Sequence, residues 1–203
     1  MENFNRTLEI ADGMPNVLTV EKQGFSVLDG YAVGGSIGRY VHPQGRSEIE
    51  FTYRDNRIGD FRRQRTVDDV LTVNAVSDAD GSMDSYSLML NVLFDLEERR
   101  VGRMNLYGGG GIGVLYVEGD ATGNFLPGLP GNPPVTFEWG DSSFAFQGLV
   151  GVNLPVRARW SWFTEYRYLG ADSIQVHDVT NNVSQGNYQF DSHNVLFGCR
   201  VFR

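Results

Sequence analysis

The sequence predicts an all-β fold, an eight-stranded antiparallel up-and-down β-barrel of the transmembrane type, and three observations predict it. Apolar and polar residues alternate with a period of two in segments of about ten residues. Short and long connections between these segments follow each other regularly along the chain. No run reaches the roughly 18 apolar residues of a transmembrane helix. The chain has 203 residues, enough for one domain, so we expect residues 1–203 to form a single barrel.

The clearest alternation lies in residues 85–96. One face of this segment carries Tyr86, Leu88, Leu90, Val92, Phe94 and Leu96. Similar alternation is present in residues 47–54, 160–168 and 194–201, and a less regular form in residues 30–41, 104–117 and 142–154. These segments predict seven strands. We assign the eighth to a short piece at residues 6–10, which resembles the end of a strand whose beginning is missing, so the first strand is expected to be truncated.

The connections indicate the environment of the barrel. Short connections lie at residues 42–45, 97–102 and 155–159, and long ones at residues 11–24, 60–84, 118–141 and 171–191. In the last of these, residues 173–179 and 188–190 offer an alternative, a strand extension of the final hairpin around Asn181 and Asn182. A soluble barrel has no reason to alternate short and long connections. Barrels of the bacterial outer membrane have short turns on the periplasmic side and long loops outside. The alternation therefore predicts an outer-membrane barrel with extracellular loops.

The two faces of the strands predict what meets lipid and what meets the lumen. Aromatic residues gather on the apolar face toward the strand ends, as in the girdles at the two membrane interfaces. The predicted girdle consists of Tyr53, Tyr86, Phe94, Trp160, Trp162, Tyr166 and Tyr168. The opposite face mixes glycines with charges of both signs. We expect a lumen filled by an ion-pair network of Glu48, Glu50, Glu165, Arg167 and Arg200, because a buried charge needs a partner.

Composition excludes several other classes of protein. The net charge is −8 and the pI near 4.8, which disfavours nucleic acid as a partner because phosphate binding needs a basic surface. Cys199 is the single cysteine, so no disulfide forms within the chain. The first residues have neither a basic region nor an apolar core, so we expect no signal peptide in this chain.

Motifs that suggest chemistry are explained better by structure. Gly108, Gly110 and Gly113 match the spacing of a dinucleotide fingerprint, but no helix is predicted to follow them. The acidic run at residues 78–84 lacks the spacing of a calcium loop. His42, His177 and His193 show no metal-ligand spacing, and Ser192-His193 with Glu165 has no local pattern that supports catalysis. We therefore predict no catalytic residues, cofactor or metal, and no enzyme.

A basic patch lies at the outer end of the third strand. Its candidate lipopolysaccharide contacts are Arg57, Arg62, Arg63 and Arg65, preceded by Arg54. Guanidinium groups bind phosphate in a bidentate manner, which suits the phosphates of lipopolysaccharide. The alternative, which we favour, is a solvated loop base whose arginines pair with neighbouring aspartates.

Several motifs resemble a known family. Residues 38–40 followed by a tight turn and residues 49–53 look like the second hairpin of small outer-membrane barrels of the OmpA, OmpW and opacity-protein (porin) type. Residues 106–113, 163–168 and 193–202 resemble their fifth, seventh and last strands. The resemblance covers residue 30 to the end of the chain. Two departures are the short first strand and the final Arg203, where the family has a terminal aromatic residue that its assembly machinery reads.

The resemblance implies a place in the cell envelope of a Gram-negative bacterium. The expected function is a structural or surface-interaction role in the outer membrane, with extracellular loops and a plugged lumen. Two alternatives are an OmpW-like narrow channel for small hydrophobic solutes and a soluble, lipocalin-like ligand-binding barrel. The expected partners are outer-membrane lipid, lipopolysaccharide and the barrel-assembly machinery, for a protein that is a monomer.

Overall fold

The computed structural model describes residues 2–10, 19–28, 30–67, 70–101, 104–123, 134–157, 159–178 and 183–201. These residues form nine antiparallel strands. They are β1 (Glu2–Ile10), β2 (Thr19–Val27), β3 (Tyr31–His42), β4 (Gly45–Val67), β5 (Val70–Val101), β6 (Met104–Gly123), β7 (Val135–Arg157), β8 (Trp160–Asp178) and β9 (Val183–Val201). Within this part of the chain no helix is long and apolar enough to cross a membrane.

The strands form one antiparallel up-and-down sheet in which chain neighbours pair with each other, except β2 and β3, which both pair with β4. Its order is β2-β1-β9-β8-β7-β6-β5-β4-β3, and β2 also pairs with β4. Through the β2–β4 pairing, the eight strands β1, β2 and β4 to β9 form a closed cycle of pairings, and β3 pairs with the remaining part of the same edge of β4. The predicted all-β, antiparallel up-and-down fold is confirmed.

One edge of β4 pairs with two different strands along its length, β3 and then β2, which the sequence did not predict. β2 pairs with the far part of β4, from Ile58 to Val67, whereas β3 pairs with its first part, from Gly45 to Asp55. The prediction of a loop at residues 11–24 was therefore wrong for residues 19–24, which belong to β2. The predicted first strand at residues 6–10 lies within β1, which begins at Glu2.

The predicted long loops were largely wrong, because most of their residues lie in strands. β4 and β5 stay paired from Gly45↔Phe94 to Val67↔Val70, so residues 60–67 and 70–84 belong to paired strands. β6 and β7 stay paired as far as Gly123↔Val135, and β8 and β9 as far as Asp178↔Val183. The described parts of the long connections are thus sheet that extends the barrel wall at this end, here called the loop end, whereas residues 11–18, 68–69, 124–133 and 179–182 lie outside the described residues. The opposite end, with the turn between His42 and Gly45, is called the turn end.

The interior has two sections of opposite character. The loop-side section is an apolar core whose inward residues include Phe25, Ile58, Phe61, Met83, Val117, Trp139, Ile174, Val176, Tyr188 and Phe190. The Phe25 ring lies at its centre, with ring centroids 5.2 Å from Phe61 and 5.7 Å from Trp139. The turn-side section holds buried charged and amide side chains, namely Arg46, Glu48, Glu50, Arg54, Asn91, Gln147, Glu165 and Arg167, together with the partly buried Arg200.

Candidate lipid-facing surface and interior polar network

The outer face of the turn-side section is apolar. Along β5 the exposed side chains are Leu88, Leu90, Val92 and Phe94, and Leu90 retains 53% of its full exposure. Neighbouring strands continue this face with Ile49, Phe51, Ile112, Val114, Phe144, Phe146, Val150, Trp162, Val195 and Phe197. A contiguous apolar surface of this extent is rare on soluble monomers, where large exposed patches mark contacts with a membrane or a partner.

The outer face of the loop-side section is polar. On β5 the outward residues beyond Tyr86 are Asp84, Ser82 and Asp80, while Met83 between them is fully buried. The same pattern holds on other strands, with Arg62, Asp120, Glu138, Gln175, Asn187 and Gln189 exposed. The barrel wall therefore reverses its polarity along single strands, from apolar outside and polar inside to polar outside and apolar inside.

A row of tyrosines marks the reversal. The rings of Tyr31, Tyr53, Tyr86 and Tyr116 follow each other across β3, β4, β5 and β6, with centroids 6.1, 5.1 and 6.2 Å apart. The Tyr53 hydroxyl donates to Asp84 at 2.7 Å, and the Tyr116 hydroxyl donates to Glu118 at 3.0 Å, both on the loop side of the row. Tyrosine places an apolar ring in lipid and its hydroxyl in the polar interface, which suits this position.

The second aromatic row lies near the turn end. It contains Phe94, Trp160 and Trp162, all exposed on the outer face. Phe94 comes eight positions after Tyr86 on β5, a path of about 26 Å at about 3.3 Å per residue. A strand tilt of about 40° reduces this to a height of about 20 Å, close to the apolar band of outer-membrane barrels. The structure thus places five of the seven predicted girdle residues in these two rows.

The remaining two girdle residues, Tyr166 and Tyr168, lie on β8 and bond to polar side chains of β9. Tyr166 contacts His193 Nδ1 through its hydroxyl at 2.7 Å, and Tyr168 donates to Asp191. The rings of Tyr168 and His193 lie 5.2 Å apart. Ser192, by contrast, is buried on the opposite face, so Ser192 and His193 do not share a site. Strand alternation separates these two neighbours, as it does any adjacent pair.

The predicted ion pairs come together in the turn-side interior. Arg167 reaches across the lumen, and its guanidinium bonds both Glu50 and Glu165. Glu50 also accepts hydrogen bonds from the Thr52 hydroxyl at 3.0 Å and from Asn91 Nδ2 at 3.1 Å. Both carboxylates are almost fully buried, so these contacts replace the water that the charges lose.

A second group of charges lies closer to the turn end. Arg46 bonds Glu48 through Nε at 2.7 Å and Asp95 through Nη1 at 2.7 Å. Arg200 is farther from Glu48, with 4.0 Å between Nε and Oε1. The two arginines lie over the Tyr107 ring, at 4.6 Å and 5.0 Å from its centroid. The Tyr107 hydroxyl donates to Glu165 at 2.8 Å and so links the two groups.

Several members of this network were missed from the sequence. Arg54 was assigned to an exposed basic patch, but it is buried and donates to the Ser87 hydroxyl at 2.9 Å. It shares the alternation phase of Arg46, Glu48 and Glu50, and this phase was the signal available. Tyr107 and Gln147 interrupt glycine-rich segments, where the alternation is hard to see. Gln147 donates to Asn91 Oδ1 at 2.6 Å.

Glycines on β6 make room for these side chains. A Cβ atom on Gly111 would lie 2.0 Å from Asn91 Oδ1, and one on Gly113 would lie 2.8 Å from Met89 Sδ. One on Gly109 would lie 2.8 Å from a Leu93 methyl carbon. The glycine run therefore lets the long inward side chains of β5 lie flat against β6. The dinucleotide reading has no support here, since β6 is a strand in the middle of the sheet.

The other candidate sites are separate from this interior. Arg57 and Arg62 are exposed on the outer face of β4, and the side chains of Arg63 and Arg65 lie outside the described residues. The acidic residues 78–84 belong to β5, whose alternation sends Asp78, Asp80 and Asp84 to the outer face. Among the described residues no group of three or more histidine, cysteine or acidic side chains is arranged to hold a metal ion.

Comparisons with known proteins give only a likeness of fold. No protein-family model matches the sequence, and no curated protein matches it. Neisserial surface protein A (NspA) is 11% identical, with 98% of this chain and 93% of that chain covered and a TM-score of 0.43. The outer membrane protein OprG from Pseudomonas aeruginosa is 12% identical, with coverages of 98% and 94% and a TM-score of 0.34.

A third similar structure corrects one expectation. The outer membrane protease OmpT from Escherichia coli is 10% identical, with 99% of this chain and 93% of that chain covered and a TM-score of 0.47. The prediction that this chain is not an enzyme was wrong as an exclusion. The matched structures are outer-membrane barrels as a class and do not single out the OmpA, OmpW or opacity type.

Proposed function

We propose that this protein spans the bacterial outer membrane through its turn-side section and serves a structural or surface-interaction role there. The observation that carries the proposal is the reversed polarity of the turn-side section. Its outer face is a band of aliphatic and aromatic side chains between two aromatic rows, and its inner face holds paired charges. Water would disfavour this apolar outer face, whereas lipid favours it.

The proposed orientation places the loop-side section outside the cell. Its polar outer face and apolar core are those of an ordinary soluble barrel, so this section is stable in water beyond the bilayer. Because the wall continues well past the tyrosine row, the protein presents a rim of paired strands above the membrane surface. A raised rim suits contact with external partners.

The interior supports a plugged lumen. In the turn-side section four arginines face four carboxylates, so the formal charge of this set balances: Arg46, Arg54, Arg167 and Arg200 with Glu48, Glu50, Glu165 and Asp95. An eight-stranded barrel has room for side chains but for no open pore. In the loop-side section the aromatic core around Phe25 fills the same axis.

The proposed partners follow from the same surfaces. Outer-membrane lipid covers the apolar band, and we propose that lipopolysaccharide phosphates bind Arg57, which is exposed four positions beyond Tyr53, and Arg62, which is exposed farther out on β4. We extend the proposal to insertion by the barrel-assembly machinery and to a monomeric state. The whole chain is proposed to act as one domain.

The second candidate is a narrow channel for small hydrophobic solutes. The apolar loop-side core favours it, because such a channel needs an apolar entrance in the outer half of the lumen. A solute would have to displace the Phe25, Phe61 and Trp139 rings to pass. The lipocalin-like alternative loses support, since it requires the exposed apolar face of the turn-side section to point inward.

Fractionation and gel mobility test the proposal. We expect the protein in the outer-membrane fraction, and we expect the folded form in detergent to migrate differently before and after heating. Recovery as a soluble monomer without detergent would contradict membrane insertion. Recordings in planar bilayers test the channel: steady conductance would favour the second candidate, whereas the plugged lumen predicts none.

A further inference from the structure

Three buried hydrogen-bond donors near the turn end of the interior have no acceptor among the described residues. They are Arg46 Nη2, Arg200 Nη1 and the Ser161 hydroxyl. Arg46 and Ser161 retain 4% and 2% of their full exposure. The strands that carry these two residues, β4 and β8, are paired on both edges at these positions, so an unpaired strand edge does not explain the missing acceptors. Native proteins normally supply an acceptor to such buried donors.

The three donors belong to one cluster. The guanidinium groups of Arg46 and Arg200 lie over the same Tyr107 ring, 4.6 Å and 5.0 Å from its centroid. Both also approach the same oxygen, Glu48 Oε1, which is 2.7 Å from Arg46 Nε and 4.0 Å from Arg200 Nε. Ser161 lies directly opposite Arg200 on the neighbouring strand, and opposed residues share a face. We call Arg46, Arg200 and Ser161 the arginine cluster.

The carboxylates next to the arginine cluster already have other donors. Glu48, Asp95 and Glu165 each accept hydrogen bonds at both oxygens, from two different side chains. None of their bonds comes from the three donors without an acceptor. The acceptor that completes the arginine cluster is therefore not one of the described side chains.

We propose that the arginine cluster binds one small oxyanion, such as phosphate, from the water at the turn end of the lumen. Two of the three donors belong to cations, and hydrogen bonds from guanidinium to an anionic oxygen are about twice as strong as neutral ones. An oxyanion such as phosphate carries enough acceptor oxygens to bond all three donors at once. A single water molecule lacks the lone pairs to do so, and it brings no charge to the two guanidinium groups.

The arginine cluster is accessible from the turn end. The Asp95 and Arg200 side chains retain 24% and 14% of their exposure, whereas that of Glu165, which lies deeper in the lumen, retains 1%. Exposure therefore increases toward the turn end, where an anion from water would enter. Only the compartment of this water, the periplasm, rests on the proposed function, because the binding itself does not need a membrane.

The charges beside the arginine cluster limit its affinity. Glu48 and Asp95 already balance the formal charge of Arg46 and Arg200, so an anion binds to a set of charges that is neutral before it arrives. Three hydrogen bonds, two of them charge-assisted, must compensate for the water that the anion loses. We therefore expect a dissociation constant on the order of millimolar, typical of an anion that exchanges with its surroundings.

Phosphorus NMR tests the proposal on the full chain, folded in a nonionic detergent whose headgroup carries no phosphate. Inorganic phosphate is titrated into the protein at constant ionic strength, and the broadening of its signal by the protein is measured. We expect broadening that saturates as phosphate is added and that corresponds to one bound anion per chain. Sodium chloride, used to hold the ionic strength constant, should not prevent it.

Three variants locate the bound phosphate. Arg200→Gln leaves the bonds of Arg46 in place and should weaken binding at least about tenfold, the loss expected for a charge-assisted hydrogen bond. Ser161→Ala should weaken it about threefold, because a neutral donor contributes less. The control is Arg157→Gln, which removes the same charge from the same end of the barrel. Arg157 is exposed opposite Trp160 on the outer face, so this change should leave phosphate binding unaltered.

Three results would overturn the anion site in protein whose gel mobility shows a folded barrel. The first is broadening that does not saturate, which would mean that water or another part of the chain supplies the acceptor. The second is equal weakening by Arg200→Gln and Arg157→Gln, which would indicate general attraction of anions to this end. The third is unchanged binding in both Arg200→Gln and Ser161→Ala. Failure of the proposed function looks different, because the protein would then be recovered as a soluble monomer whatever its binding of phosphate.

Discussion

The turn-side and loop-side sections of the barrel share the same strands but have their apolar residues on opposite faces. In the turn-side section β5 sends Leu88 and Leu90 outward and Ser87 and Asn91 inward. In the loop-side section the same strand sends Ser82 outward and Met83 inward. The period of two is kept throughout, and only the assignment of polar residues to faces changes. Which face is apolar therefore depends on the surrounding solvent and not on the strand geometry.

The energetics of the two interiors differ accordingly. The loop-side interior is held by burial of apolar surface, as in soluble proteins. The turn-side interior is held by ion pairs and hydrogen bonds whose members have lost water, so its stability depends on every charge keeping its partner. A substitution in one interior should therefore have little effect on the interactions that stabilise the other.

The largest effect is expected from Arg167→Met in the turn-side interior. The change leaves the Glu50 and Glu165 carboxylates without their shared cation, and we expect a loss of about 3–5 kcal/mol in the free energy of unfolding. Urea unfolding in lipid vesicles measures it. Adding Glu50→Gln should recover part of the loss. If the double variant is as unstable as the sum of the single variants, the Arg167–Glu50 pair is not coupled.

The second-largest effect is expected from arginine on the outer face, where its cost in stability should differ between the two sections. Leu90→Arg places a charge in the middle of the apolar band and should cost about 2–4 kcal/mol in lipid. The matched variant Ser82→Arg lies on the outer face of the same strand in the loop-side section and should change stability by less than about 0.5 kcal/mol. Equal effects at the two positions would mean that the bilayer does not end at the tyrosine row.

An added methyl group should destabilise the barrel more on the inner face of the glycine-containing strands than on their outer face. Gly111→Ala brings a Cβ atom to 2.0 Å from Asn91 Oδ1, so Asn91 must move and its bonds to Glu50 and Gln147 weaken. We expect a loss of about 1–3 kcal/mol, as for overpacked interiors. Gly148→Ala is the control, since no heavy atom lies within 4 Å of its Cβ. A neutral Gly111→Ala would show that the interior is loosely packed.

The smallest effect compares the removal of one methylene from each section. Ile174→Val creates a small void in the fully buried loop-side core and should cost about 0.5–1.5 kcal/mol. Ile112→Val removes the same group from the outer face of β6, where lipid chains fill the space, and should cost less. Unfolding of both variants in the same vesicles measures the difference, and a larger loss for Ile112→Val would reverse the assignment of faces.

Sequence reasoning predicted the strands well where one face was consistently apolar. The alternation in residues 85–96 identified both the strand and its outer face, and the charges at Glu50, Glu165 and Arg167 pair as their phase suggested. These features are local, because each follows from the order of a few neighbouring residues. Their roles in function remain predictions.

The loop-side section was missed because its pattern is inverted. Residues 79–84 alternate as regularly as residues 85–96, but with the polar face outward, and so they resemble the polar loops of a membrane barrel. The change of partner along one edge of β4, from β3 near the turn end to β2 near the loop end, was also hidden. Such a change depends on which distant segments pair, and the register β2 makes with β4 leaves no trace in the local sequence.

Spin labels along β5 test the reversal of polarity most directly. In the Cys199→Ser background, single cysteines at positions 90 and 82 are labelled and the protein is inserted into lipid vesicles. Collisions of each label with oxygen, which concentrates in lipid, and with a water-soluble nickel complex are then measured. We predict that the label at position 90 meets oxygen and the label at position 82 meets nickel. Equal access of both labels to nickel would contradict a membrane-spanning turn-side section.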